Sequence, residues 1–176
     1  MSDDDYRALA DPQQEQYFLV APDKLAIISE AAAIRSTDRV IELGAGVGTV
    51  ARSLPPCGSL TVVELDSRLI EELRRNVPHA TVINGDGVRL LREGSLAVDV
   101  VIANLPTAVT QSLIRILPKV SFRAAVLAVG SIDAFESVAD KLEHSYLATI
   151  SGSDFIPPQP MKSFLMRTEP RNQGTS

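Results

Sequence analysis

Val40-Ile41-Glu42-Leu43-Gly44-Ala45-Gly46-Val47-Gly48-Thr49 runs from an apolar strand into a Gly-Xaa-Gly-Xaa-Gly turn, with a carboxylate two residues before the first glycine. Glycines at 44, 46 and 48 let the backbone turn sharply and approach a ligand more closely than any Cβ permits. The carboxyl end of a strand is where open α/β sheets bind their ligands. The apolar run Thr61-Val62-Val63 predicts the next strand. It ends at Glu64, about 20 residues beyond Gly44, where an acid can accept hydrogen bonds from both hydroxyls of a ribose.

Two classes of nucleotide cofactor share that plan, and the turn separates them. Dinucleotide folds space their glycines Gly-Xaa-Gly-Xaa-Xaa-Gly, so that a helix N-terminus faces a pyrophosphate. Here the third glycine comes one position earlier, and Val47 and Thr49 flank it. Glu42 would repel a pyrophosphate, but suits a cofactor with an amino acid end, whose ammonium it can help hold through water. S-adenosylmethionine is such a cofactor.

Two further motifs stand at predicted strand ends. Gly85-Asp86-Gly87 follows the apolar run Ala80 to Ile83, and a carboxylate there can accept from an adenine amino group. Gly-Asp-Gly alone is ordinary turn chemistry. Asn104-Leu105-Pro106-Thr107 follows the run Val98 to Ala103. An Asn side-chain carbonyl, with the backbone carbonyl of the next residue, can accept both hydrogens of an amine and so aim its lone pair at a sulfonium methyl. Asn104, Leu105 and Pro106 are therefore the candidate catalytic segment.

Taken in order, Gln16-Tyr17-Phe18-Leu19, Glu42 to Gly48, Val63-Glu64-Leu65-Asp66, Gly85-Asp86, Asn104-Leu105-Pro106 and Phe155-Ile-Pro-Pro-Gln-Pro-Met-Lys162-Ser resemble the ribosomal RNA adenine dimethyltransferases, over residues 16 to roughly 168. The resemblance implies a seven-stranded, mainly parallel Rossmann-like α/β sheet with an antiparallel last strand and helices on both faces. It implies that Gln16, Tyr17, Leu19, Glu42, Gly44, Ala45 and Gly46 line the methionine end of S-adenosylmethionine. Glu64 would meet the ribose, Gly85 and Asp86 the adenine, and Asn104 the methyl, with Leu65 also binding the cofactor. Phe18, Thr107 and Phe155 would face the acceptor.

The departures from the family pattern bear on the acceptor. Tyr17 stands where the family has Asn, and Thr107 where it has an aromatic residue that stacks on the flipped adenine. Stacking on a ring contributes roughly 1 to 3 kcal/mol per base. Gly130-Ser-Ile-Asp133 replaces the family's Gln-Lys-Glu-Val segment, and the chain stops where a small helical RNA-binding domain would begin. A net charge of −5 and a pI near 5.0 also oppose a phosphate backbone. The sequence reading is thus a methyltransferase acting on an amine of a small molecule. RNA is an acceptor only with an added binding surface, which makes an RNA adenine-N6 methyltransferase the first alternative. A cofactor-binding protein without catalysis is the second.

The remaining chain alternates helix and strand, which predicts a parallel sheet. Helices are expected at Ala21 to Ile34, Val50 to Leu54, Leu69 to Arg75, Val109 to Leu117 and Ala134 to Leu142. Further strands are expected at Ala124 to Val129, Tyr146 to Ile150 and Ser163 to Thr168, the last two antiparallel. One domain is expected over 13–168, with loose termini at 1–12 and 169–176; 176 residues suffice for one core. A single cysteine, Cys57, and two isolated histidines, His79 and His144, supply no disulfide, no metal set and no nucleophilic triad. The acidic N-terminus is no signal peptide and no apolar run spans a membrane, so a cytoplasmic protein is expected.

Overall fold

Four apolar runs decide the architecture. The structure is a computed structural model and describes residues 1–171. In it β2 (Arg39–Leu43), β3 (Ser59–Glu64), β5 (Val100–Asn104) and β6 (Ala124–Val129) are the inner parallel strands. Successive side chains alternate between two buried faces. Ile41, Leu43, Val101, Ala103, Leu127 and Val129 pack on one side, and Val40, Val62, Val100, Ile102, Val126 and Ala128 on the other. Strands buried on both faces read as unbroken apolar runs and pair in parallel under helices. With β4 (Thr81–Asn84), β7 (Leu142–Ile150) and β9 (Ser163–Pro170) they form a seven-stranded sheet in the order β4-β3-β2-β5-β6-β9-β7. β2 to β6 are parallel, and β9 runs antiparallel between β6 and β7.

Helices cover both faces. Val88 and Leu91 of α4 (Gly87–Arg92) and Leu113 and Ile114 of α5 (Thr107–Ile116) pack on the first; Ile28 and Ala32 of α2 (Pro22–Ala32) and Leu73 of α3 (Ile70–Asn76) on the second. No helix among the described residues is long and apolar enough to cross a membrane.

Several expectations are corrected. Residues 1–12 carry a helix, α1 (Asp3–Leu9), where loose chain is expected: Ser2 and Asp5 form a reciprocal capping box, and Tyr6 sets its ring 5.7 Å from that of Phe18. Val50 to Leu54 forms only a 3₁₀ turn at Ala51–Ser53, because Leu54 precedes Pro55 and a pre-proline residue is pushed out of the helical region. Helix α4, capped by Asp86, is absent from the sequence reading. Ala134 to Leu142 is a 3₁₀ segment, Ile132–Val138, followed by β7, which starts at Leu142 rather than Tyr146. The polar run Glu143-His144-Ser145 hides that strand, since its exposed edge needs no apolar alternation. β9 continues to Pro170, past the expected boundary, and residues 172–176 of the expected loose terminus lie outside the described residues. Finally, β1 (Phe18–Leu19) and β8 (Phe155–Ile156) pair antiparallel in a small second sheet, with Leu19 opposite Phe155.

Candidate functional site

At the carboxyl ends of β2, β3, β4 and β5 lies a cavity of about 370 Å³, within the range of small-molecule sites. Gly44 and Gly46 shape its floor in left-handed backbone, with φ of +67° and +56°. A Cβ on Gly44 would lie 2.4 Å from Leu105 Cδ2, and one on Gly46 2.9 Å from Phe18 Cε1. The turn is glycine-built because the Asn104-Leu105 segment and the β1 ring both press against it.

Two carboxylates face this turn and differ in how they are held. Glu64 accepts from the Gly46 N–H at 2.8 Å through Oε2 and from the Asp66 N–H at 2.8 Å through Oε1. Each oxygen retains acceptor capacity toward the cavity, which suits a pair of ribose hydroxyls. Glu42 is 3% exposed, and its Oε2 has no hydrogen-bond partner among the described residues. Burial, with a smaller contribution from the neighbouring Glu64 charge and against a hydrogen bond from the Ala51 backbone, pushes its carboxyl up to about 8. An orphaned buried acid at a cavity wall calls for a cation, and the ammonium of an amino acid end fits it.

Leu65 and Asp86 form a further stretch of the wall. Leu65 is 72% exposed and presents an apolar side chain at the cavity rim. Asp86 caps α4 through Oδ1, which accepts the Arg89 N–H at 3.1 Å. Oδ2 makes no hydrogen bond among the described residues. Gly85 and Ala45 also line the wall.

Asn104, the last residue of β5, is partly buried and lines the cavity with Leu105 and Pro106. Its side-chain amide makes no hydrogen bond among the described residues, so its carbonyl can accept from an entering amine. The Leu105 carbonyl takes one hydrogen bond, from the Oγ1 hydroxyl of buried Thr110 at 3.1 Å, which orients it and leaves one lone pair. Thr110, whose hydroxyl bonds this carbonyl, is not singled out by the sequence reading. Its only signal is its place in the first turn of α5.

Other predicted residues are placed differently. Gln16 lines the cavity, yet its amide is engaged at both ends: Nε2 donates to Asp66 Oδ2 at 2.9 Å and Oε1 accepts the Asp11 N–H at 3.1 Å. The Arg68 guanidinium beside Asp66 holds that carboxyl well below the usual range, so the latch carries a full charge. Asp66 and Arg68 are further residues without a predicted role. Tyr17, Phe18 and Leu19 line the wall, Phe18 with its ring against Gly46 of the glycine turn. Phe155 is 1% exposed in the core, because pairing with Leu19 turns its ring inward, so it does not face an acceptor. Thr107 opens α5 with an exposed side chain against Gly130 and is not part of the cavity wall.

Comparison with known proteins bears on this geometry. The profile of the ribosomal RNA adenine dimethylase family matches residues 9–129, from α1 through the glycine turn and the Asn104 segment to β6. The chain belongs to the ribosomal RNA adenine dimethylase family. Among relatives of this dimethylase-family chain, a ribosomal RNA small subunit methyltransferase of Arabidopsis thaliana is 30% identical, over 90% of this chain and 51% of its own length. A probable dimethyladenosine transferase of Drosophila melanogaster is 30% identical, over 89% and 58%. The chain therefore spans a little over half the length of these relatives. Of solved structures, a dimethyladenosine transferase from Plasmodium falciparum aligns with a TM-score of 0.77 at 25% identity, over 88% of this chain and 63% of its own. The 23S rRNA methyltransferase ErmE aligns at 0.74 with 19% identity, a likeness of fold. By family and fold the chain has the Rossmann-like architecture shared by these methyltransferases.

Proposed function

We propose that the protein methylates the exocyclic amine of adenine in RNA. The observation that carries this is Asn104, an uncommitted amide beside a carbonyl oriented by Thr110, at the mouth of a cavity built for a nucleoside with an amino acid end. The names of the relatives, which speak of ribosomal RNA and dimethyladenosine, support adenine over the small-molecule amine favoured by the sequence alone. S-adenosylmethionine supplies an electrophilic methyl and a neutral thioether leaving group. Glu42 would face its ammonium, Glu64 its ribose hydroxyls, and Asp86 its adenine amino group, with Leu65 against the ring. The Asn104 side-chain carbonyl and the Leu105 carbonyl each accept one N–H of the acceptor, so that its nitrogen points at the methyl carbon. Carbon–nitrogen bond formation and carbon–sulfur cleavage proceed in line. The proton leaves from the resulting cationic nitrogen to solvent, so no strong base is required. Positioning supplies the acceleration.

Thr107 favours a second reading, an amine of a small molecule, since no ring stands at that position to stack on a base. One experiment separates the two. Protein is incubated with methyl-labelled cofactor and, separately, with total RNA, free nucleosides and a metabolite extract; the RNA is then digested to nucleosides. Label in N6-methylated adenosine from RNA is expected, and label confined to the metabolite fraction overturns the proposal. Asn104→Ala should lower turnover on the order of 100-fold through misorientation and leave cofactor affinity nearly unchanged. Unchanged turnover would remove the amine-gripping role.

A further inference from the structure

Away from the cavity, Arg115 in the last turn of α5, Lys119 in the Leu117–Lys119 turn and Lys141 just before β7 converge on one cleft, lined also by Pro118, Ser137 and Val138. None of the three cations takes part in an ion pair or side-chain hydrogen bond among the described residues. Elsewhere nine of the 17 Lys and Arg side chains sit beside a carboxylate. Three elements thus bring like charges together, with no acid lining the cleft and in a chain of net charge −5. Glu136 and Asp140, the nearest acids in sequence, pair with none of them. Such convergence is repulsive on its own, and low-dielectric walls focus its field outward toward an anion.

The position of the cleft adds a second constraint. Helix α5 begins at Thr107, directly after Asn104-Leu105-Pro106, and ends at Ile116. At 1.5 Å per residue its two ends lie about 15 Å apart. Its sequence, Thr-Ala-Val-Thr-Gln-Ser-Leu-Ile-Arg-Ile, holds no acid, and its exposed Ala108 and Gln111 lead toward Arg115. A polymer with one base in the cavity can therefore lay its backbone along α5 into the cleft over a helix that holds no acid, although Asp133 and Glu136 of the neighbouring Ile132–Val138 segment are exposed. A mononucleotide cannot reach both.

We infer that Arg115, Lys119 and Lys141 form a contact site for the phosphate backbone of the RNA whose adenine enters the cavity. This rests on RNA being the methyl acceptor, and it supplies a local basic surface on an acidic protein. The test uses a triple variant, Arg115→Gln with Lys119→Gln and Lys141→Gln. A control of equal charge change carries Arg52→Gln, Arg74→Gln and Arg92→Gln, three exposed arginines without ion pairs. Binding of labelled single-stranded oligoadenylate is followed by anisotropy across a salt series.

The cleft variant should bind about tenfold or more weakly, and its slope of log affinity against log salt should be shallower by about 2, since each phosphate on a single strand contributes roughly 0.7. The control should keep the wild-type slope. In methyl transfer, the cleft variant should raise KM for long RNA with kcat unchanged. Equal affinity and slope in the cleft variant and wild type, equal losses in the cleft and control variants, or no RNA binding by the wild type would overturn the inference. The function reading fails separately: wild-type protein that binds RNA through the cleft yet labels no adenine removes the acceptor and leaves the contact site. Labelled RNA with a cleft variant that binds as wild type does the reverse.

Discussion

Glu42 and Glu64 are both buried at strand ends, and their surroundings give them different chemistry. Backbone amides of Gly46 and Asp66 hold the Glu64 carboxylate, whereas burial, only partly offset by the Ala51 backbone and with Oε2 unpaired among the described residues, drives Glu42 up to about 8. A carboxyl raised in the folded state stabilises fully below its unfolded value and loses that contribution as pH rises through about 8, by at most about 1.4 kcal/mol per pH unit. Glu42→Gln should therefore be more stable than wild type at neutral to mildly alkaline pH, with a flatter dependence, as read from melting temperatures. Binding of S-adenosylhomocysteine should draw a proton off Glu42, because the ligand ammonium favours the charged form. Affinity should then rise with pH between about 6 and 8 in the wild type, and calorimetry in buffers of differing ionisation enthalpy should detect proton release. A Glu42→Gln variant that retains the same proton release would dismiss this role.

At the scale of elements, the N-terminal segment is the part of the site most loosely tied to the sheet. Gln16 bridges Asp11 and Asp66, Arg68 pairs with Asp66 and lies 3.7 Å from Asp11, and α1 leans on Phe18. These contacts are partly exposed, and exposed ion pairs contribute about 1 kcal/mol or less. The segment is thus expected to open well below the global unfolding energy. Asp66→Ala should speed amide hydrogen exchange over residues 10–17 severalfold while the inner strands exchange as before, with only a small loss in melting temperature. Exchange unchanged in that segment would show that packing of Tyr6 on Phe18 holds it without the latch.

For the whole molecule, cofactor binding and stability are one measurement. A ligand at 100 times its Kd stabilises by about 2.7 kcal/mol, which for a domain of this size raises the melting temperature by roughly 5 to 10 °C. S-adenosylhomocysteine should produce that shift and NAD none, since Glu42 and Glu64 offer no partner for a pyrophosphate. A shift with NAD alone would contradict the cofactor. The overall acidity coexists with the basic Arg115, Lys119 and Lys141 cleft, so net charge by itself does not describe every face of the protein.

The features that the sequence determines by itself are those carried by neighbouring residues. Apolar runs at 40–43, 61–63, 98–103 and 124–129 impose strands buried on both faces and hence a parallel sheet, and the residue that ends such a run lies at the ligand-binding edge by covalent connection. Glu42, Gly44, Glu64, Asp86 and Asn104 are legible for that reason, and all reach the cavity. Where a side chain points depends on partners distant in sequence. Pairing with Leu19 sends Phe155 into the core; Asp66 takes up Gln16; α5 turns Thr107 outward; and β9 recruits the polar residues from Leu142 as its edge partner. Arg115 and Lys119 are neighbours along the chain, but Lys141 joins them only when distant elements meet, because packing direction, not local sequence pattern, decides which surfaces face each other.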